Sequence, residues 1–175
     1  MKIALLGYSG SGKSTTAAIL GTEYGIPVLH LDTVQFMENW QERPAEQSKA
    51  IVADFMAAND SWVIDGNYKA FHQRQRLQQA DMIIFFSFNR FTCFCRAFSR
   101  YMKYRGKTRP SMSAGCNEKF DLEFAKWILW DGRTPRRRKA YADMCEKYKD
   151  KVVIIRNQKQ LDSFLKNIEK IKKKC

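Results

Sequence analysis

The residues with the clearest chemistry lie near the start of the chain. Gly7-Tyr8-Ser9-Gly10-Ser11-Gly12-Lys13-Ser14, followed by Thr15, fits the pattern G-x-x-x-x-G-K-[ST]. Glycines there let successive backbone N–H groups turn inward as a nest for anions. A helix opening at Lys13 adds the positive end of its dipole. In such a loop the lysine reaches the outer phosphates of a nucleoside triphosphate and the Ser14 hydroxyl ligates Mg²⁺. The context agrees, because the apolar run Lys2–Leu6 precedes the motif and a helical period follows it.

Two carboxylates close later apolar runs. Asp65 ends Trp62-Val63-Ile64 and precedes Gly66-Asn67-Tyr68. That is the place of an acid that orients Mg²⁺ with Ser14, or of a solvated turn aspartate before glycine. Asp32 follows His30-Leu31. It either accepts a hydrogen bond from an acceptor hydroxyl or a magnesium-bound water, or caps a turn. His30 is expected to be a packed strand residue and His72 a surface or pocket-rim residue.

Cations form a third group. From Met82 to Asn117 there is no acidic residue, but there are seven basic ones: Arg90, Arg96, Arg100, Lys103, Arg105, Lys107 and Arg109. At 100° per residue Arg96, Arg100 and Lys103 gather opposite Phe91, Phe94, Phe98 and Met102. The aromatic stripe is therefore expected to face the core and the cations a polyanion. A solvated helix interleaves both signs, since like charges at i,i+4 repel. A second cluster, Arg133 to Lys139 with Arg136 within it, follows a helix bearing Trp127 and Trp130. It fits either a lid closing on phosphates or an exposed patch for nucleic acid. Lys170, Lys172, Lys173 and Lys174 are expected to solubilise a last helical turn.

The elements that must position these groups follow from periodicity. Short apolar runs alternate with helical segments, as in βαβ units with a parallel sheet. Strands are expected at Lys2–Leu6, Pro27–His30, Ser61–Asp65, Met82–Phe88 and Lys151–Arg156, each covered on both faces. Helices are expected over Ala45–Ala58, from Phe91 onward, and through Leu161, Phe164, Leu165, Ile168 and Ile171. Arg105–Asn117, with Gly106, Pro110 and Gly115, is expected to be a mobile loop.

Composition sets the outer bounds. The 175 residues, 45% hydrophobic and 28% charged, fit one domain over 1–175 and are too apolar for a disordered chain. Without a long apolar run, neither a membrane-spanning helix nor a leader is expected. The five cysteines form no CxxC pair, which points to a reducing, cytoplasmic setting. The net charge of +13 calls for anionic partners.

Taken together the motifs resemble a family. The glycine-rich loop, the Asp65-Gly66 pair and Arg96-x-x-x-Arg100 resemble adenylate kinase and its relatives among the P-loop nucleoside and nucleotide kinases. The nearest resemblance is to the FlaR-type topology modulation proteins, through Gly7–Thr15, Gly25–Asp32, Trp62–Tyr68, Arg105–Pro110 and Gly115–Lys119. The resemblance implies a three-layer α/β sandwich with a five-stranded parallel sheet in the order 2-3-1-4-5 and a helical lid. It implies ATP and Mg²⁺ as cofactors, Arg96 and Arg100 as the clamp on the transferred phosphoryl group, and Arg156 and Asn157 beside the adenine. The acceptor region would span about 33–60 and the lid about 104–138, with Arg105, Arg109, Arg133 and Arg136. Where the nucleoside-monophosphate kinases continue D-G-F-P-R, this chain has Asp65-Gly66-Asn67-Tyr68, so the arginine for an acceptor's α-phosphate is absent from its usual place.

The resulting expectation is an ATP-dependent kinase acting on a small-molecule acceptor. Lys13, Arg96, Arg100 and Asp32 would be its catalytic groups, with Trp40, Asp65, Asn67, Tyr68 and Phe71 around the acceptor. The competing readings are a nucleic-acid-associated ATPase and an ATP-binding regulatory protein affecting DNA topology.

Overall fold

The computed structural model describes residues 1–172. Five strands, β1 (Lys2–Gly7), β2 (Val28–His30), β3 (Trp62–Asp65), β4 (Met82–Phe86) and β5 (Val152–Ile155), form one parallel sheet in the order β2-β3-β1-β4-β5, as expected. The pairing is in register: Ala4 lies opposite Ile64 on β3, and Leu5 opposite Ile84 on β4.

Alternation along the strands divides the core in two. Ile3, Leu5, Val63, Ile84 and Phe86 face one layer, which holds α1 (Lys13–Tyr24), α5 (Arg90–Tyr104), α6 (Leu122–Leu129) and α8 (Gln158–Lys172). Ala4, Leu6, Ile64, Ile83 and Phe85 face the other. There α2 (Leu31–Gln35), α3 (Ala45–Ala58) and α4 (Gln73–Gln79) pack, with Tyr141 and Met144 of α7 (Pro135–Lys147). The expectation of strands covered on both faces holds for the three central ones. The edge strands β2 and β5 are mostly half-buried, because each has a neighbour on one side only.

One expected face is reversed. In α5, Phe91 and Met102 are 71% and 55% exposed and Phe98 is also exposed, whereas Cys93 and Ala97 are buried. The small residues let the helix come up against the glycine-rich loop, and Arg96 turns to that side, while Arg100 bonds Glu118. The aromatic side is partly covered by Phe120, whose ring lies 5.3 Å from Phe94 and 5.4 Å from Phe98.

The segment 105–117 is irregular, as expected, but it is tied down. Met112 and Cys116 are buried, and bridges join Arg105 to Glu118 and Thr108 to Asn117. Leu161 and Ile168 anchor α8 in the core. Lys173 and Lys174 lie outside the described residues. No helix among the described residues is long and apolar enough to cross a membrane.

Candidate functional site

The loop Gly7–Gly12 joins β1 to α1 at the carboxyl end of the sheet. Its glycines are required sterically. Gly10 has φ of 77°, and a Cβ there would collide with the carbonyl oxygen of Cys93 on α5. Gly7 has φ of 137°, and its Cβ would strike the Phe86 backbone. Asn67, expected beside the acceptor, instead turns its amide onto this loop. It accepts from Gly7 N at 2.9 Å and donates to Gly7 O at 2.7 Å.

Polar groups converge inside the loop. The Tyr8 carbonyl accepts from Ser11 Oγ at 2.7 Å and from Lys13 Nζ at 3.0 Å. Arg96 donates from Nη1 to Ser11 O at 2.8 Å, donates from Nη2 to Gln158, and stacks 4.2 Å over the Phe88 ring. The outer side of the loop is covered too. Trp127 Nε1 donates to Ser9 Oγ at 3.3 Å, and the Arg133 guanidinium lies 3.7 Å over the Tyr8 ring while bonding Phe88 O.

Ser14 is the second residue of α1, and Asp65 at the end of β3 lies near it. Asp65 is buried, and His30 Nδ1 lies 3.2 Å from its Oδ2. Burial alone would raise the Asp65 pKa. The His30 hydrogen bond outweighs that with the help of Lys13 and Ser14, so the carboxyl stays below its usual range. Lys13 moves the other way, because desolvation lowers its pKa against the pull of Asp65 and Asp32. Asp65 Oδ1 is buried with no hydrogen-bond partner. An ionised carboxylate with a free oxygen near a serine hydroxyl is the donor chemistry that suits Mg²⁺, a hard cation preferring oxygen.

A second cluster is built around Asp32, in the first turn of α2. Tyr68 donates its hydroxyl to Asp32 Oδ1 at 2.9 Å and stacks on Phe71 at 5.0 Å. Burial first, and then the Asp32 charge, push the Tyr68 pKa up, so the phenol stays protonated. Arg109 Nη2 donates to Asp32 Oδ2 at 3.1 Å. Arg100 bonds Glu118, which also faces Arg109. The charges of Asp65 and Asp32 work to raise the Lys13 pKa, and that of Arg100 to lower it.

The other expected residues are placed less centrally. Trp40 faces the segment 105–117, donating from its backbone to Cys116 Sγ at 3.3 Å and from Nε1 to Asn117 O at 3.1 Å. Arg105, Arg136 and Thr15 are exposed, and it is Arg137 rather than Arg136 that stacks on Trp127, at 4.5 Å. Lys103, expected to face a polyanion with Arg96 and Arg100, is exposed and lies over Tyr104. Arg156 is exposed, and Asn157 caps α8 by accepting from Gln160 N at 2.9 Å. His72 precedes α4 in a left-handed conformation.

Two residues were missed by the sequence reading. Fully buried Arg76 holds the Asp65-Gly66-Asn67-Tyr68 turn from behind, donating to Phe71 O, Gly66 O and Tyr68 O. Glu118 escaped notice as a charge partner, although it is the acid that ends the acid-free window.

Among solved structures, the chain is similar to shikimate kinase from Acinetobacter baumannii in complex with shikimate, with a TM-score of 0.58 and 16% identity over 97% of this chain and 91% of that one. It is similar to shikimate kinase from Bacteroides thetaiotaomicron, with a TM-score of 0.52 and 15% identity over 98% and 97%. An uncharacterized protein from Eubacterium ventriosum aligns with a TM-score of 0.53 and 17% identity over 100% and 99%. At these identities the likeness is one of fold. No protein-family model and no curated protein matches the sequence.

Proposed function

We propose that the protein is an ATP-dependent kinase, transferring the γ-phosphoryl group to a small-molecule acceptor held beside Asp32 and Tyr68. The observation that carries this reading is the glycine-rich loop at the strand ends, which holds Lys13 Nζ 3.0 Å from Tyr8 O at the carboxyl end of the sheet, where buried Asp65 keeps Oδ1 without a partner. Adenine would lie toward Arg156 and Asn157, where the family resemblance puts it. The matches at Arg105–Pro110 and Gly115–Lys119 carry the reading toward the topology-modulation branch of these kinases. The chain 1–175 would act as one unit, and the free thiols among its described residues fit a reducing cytoplasm.

The acceptor oxygen attacks the γ-phosphorus while the bond to the β–γ bridging oxygen breaks, and ADP leaves. Such a reaction is catalysed by placement and by neutralising charge spread over the phosphoryl oxygens. Lys13 and the loop amides hold the phosphates. Arg96 and Arg100 face them from α5, and Arg133 closes the outer side over Tyr8. Ser14 and Asp65 would hold Mg²⁺, which supplies further neutralisation of the phosphates. Where the acceptor is an alcohol, Asp32 receives its proton, and Tyr68 and Arg109 set the orientation of that carboxylate.

The test is an ATP-consumption screen over nucleosides, nucleoside monophosphates, sugars and hydroxy-acids. Acceptor-dependent ADP release that Lys13→Ala abolishes is the expected result. Arg96→Ala should lower turnover more than ATP affinity. Normal turnover in the Lys13 variant would overturn the reading.

A further inference from the structure

Glu118 occupies an uncommon position for an acid in this chain. Its side chain is 4% exposed, and it lies between two guanidiniums of the segment that has no acid of its own. Arg100 bonds one of its oxygens, Oε1, from Nη2 at 2.6 Å and from Nε at 2.7 Å. The other oxygen, Oε2, faces Arg109 Nε at 3.6 Å, an ion pair longer than a hydrogen bond. Arg109 continues to Asp32, and Asp32 to Tyr68. One buried carboxylate thus links the arginine facing the phosphates to the acid facing the acceptor.

The orientation matters as much as the charge. Glu118 takes the Nε–Nη2 edge of Arg100, and among the described residues Nη1 makes no hydrogen bond. Desolvation and the neighbouring Arg109 both work against the charge of Arg100, and Glu118 opposes them. Without that carboxylate two like charges share a water-poor site and repel each other.

We propose that Glu118 is a positioning residue for phosphoryl transfer. It fixes one edge of Arg100 so that Nη1 meets the transferred group, and it keeps Arg109 on Asp32. This rests on the kinase reading above.

The test compares binding of ADP alone with binding of ADP plus aluminium fluoride, a mimic of the group in flight, both with Mg²⁺. A transition-state mimic gains about 100-fold or more over the ground-state ligand in an enzyme built for it. Glu118→Gln should keep ADP affinity within about threefold and lose at least about tenfold of that gain. Glu118→Asp keeps the charge but withdraws it by one methylene, and should lose less. Arg100→Lys should match Glu118→Gln, and the double variant should lose no more than either single one, because both act through one guanidinium. A full gain in Glu118→Gln overturns the proposal and leaves the kinase reading standing. So does a loss of ADP affinity and thermal stability in proportion to the loss of gain, which marks a purely structural ion pair. A wild-type protein with no gain from aluminium fluoride overturns both.

Discussion

Asn67 and Gly7 exchange two hydrogen bonds across the start of the glycine-rich loop, with each end of the amide on one backbone group. The turn after β3 therefore fixes the entry angle of the loop after β1. Removing the side chain leaves the loop to water and should cost about 1–2 kcal/mol. Asn67→Ala should weaken ATP affinity, and Asn67→Asp should weaken it more, because the carboxylate meets the Gly7 carbonyl and repels phosphate. Calorimetric titration with an ATP analogue checks the order. Losses confined to the acceptor KM, with ATP affinity intact, would place Asn67 on the acceptor instead.

Arg76 supports the same turn from the opposite side. Its guanidinium is buried and bonded to three carbonyls, and burial lowers its pKa to about 10. Arg76→Ala orphans all three acceptors and should cost about 3 kcal/mol. For a chain of this size that lowers Tm by about 6–12 °C. Arg76→Lys should restore little, since a point charge cannot span three divergent carbonyls. Thermal unfolding measures both, and a shift under about 2 °C in the alanine variant would contradict this role.

These two residues mark where the sequence was and was not legible. The strands, the glycine-rich loop and the strand-end positions of Asp32 and Asp65 could be read because each depends on local period or on a motif, whereas the strand order came only with the family resemblance. Arg76 could not. It lies in the polar run Gln73–Gln79, and nothing local says that one guanidinium there turns inward. The facing of α5 was misread for a related reason. Hydrophobicity marked Phe91, Phe98 and Met102 as the inner stripe, but the helix approaches a glycine-rich loop, and close approach favours the small Cys93 and Ala97. Arg109 and Glu118 needed the tertiary fold, because their partners come from α2 and α5.

That facing of α5 has a direct check. Phe91→Ser changes a ring that is 71% exposed and should alter stability by less than about 0.5 kcal/mol. Ala97→Leu forces added volume against Gly10, where a built Cβ already comes within 3.3 Å of the Ala97 Cβ. It should cost about 1–3 kcal/mol and weaken ATP binding by distorting the loop. Chemical denaturation of the two variants gives the contrast, and the reverse ranking would restore the aromatic face to the core.

Lys13 gives the last prediction, a pH dependence. Desolvation lowers its pKa below 10.5 in the free protein, against the pull of Asp65 and Asp32. Bound phosphates add negative charge next to the ammonium and raise that pKa again. Between the two values the free protein carries neutral Lys13 while the complex carries the cation, so binding takes up a proton. ATP affinity should then fall as pH rises through this alkaline window, by up to about tenfold per unit. Lys13→Arg should flatten the slope, because a guanidinium does not titrate there. Folding stability is a poorer readout, since the raised pKa values of Tyr24, Tyr68 and Tyr141 act in the opposite sense from 10.0 upward, where the lysine window ends. Titrations with an ATP analogue from neutral pH upward, at fixed ionic strength, decide it. The same slope in wild type and Lys13→Arg would assign the titration to another group.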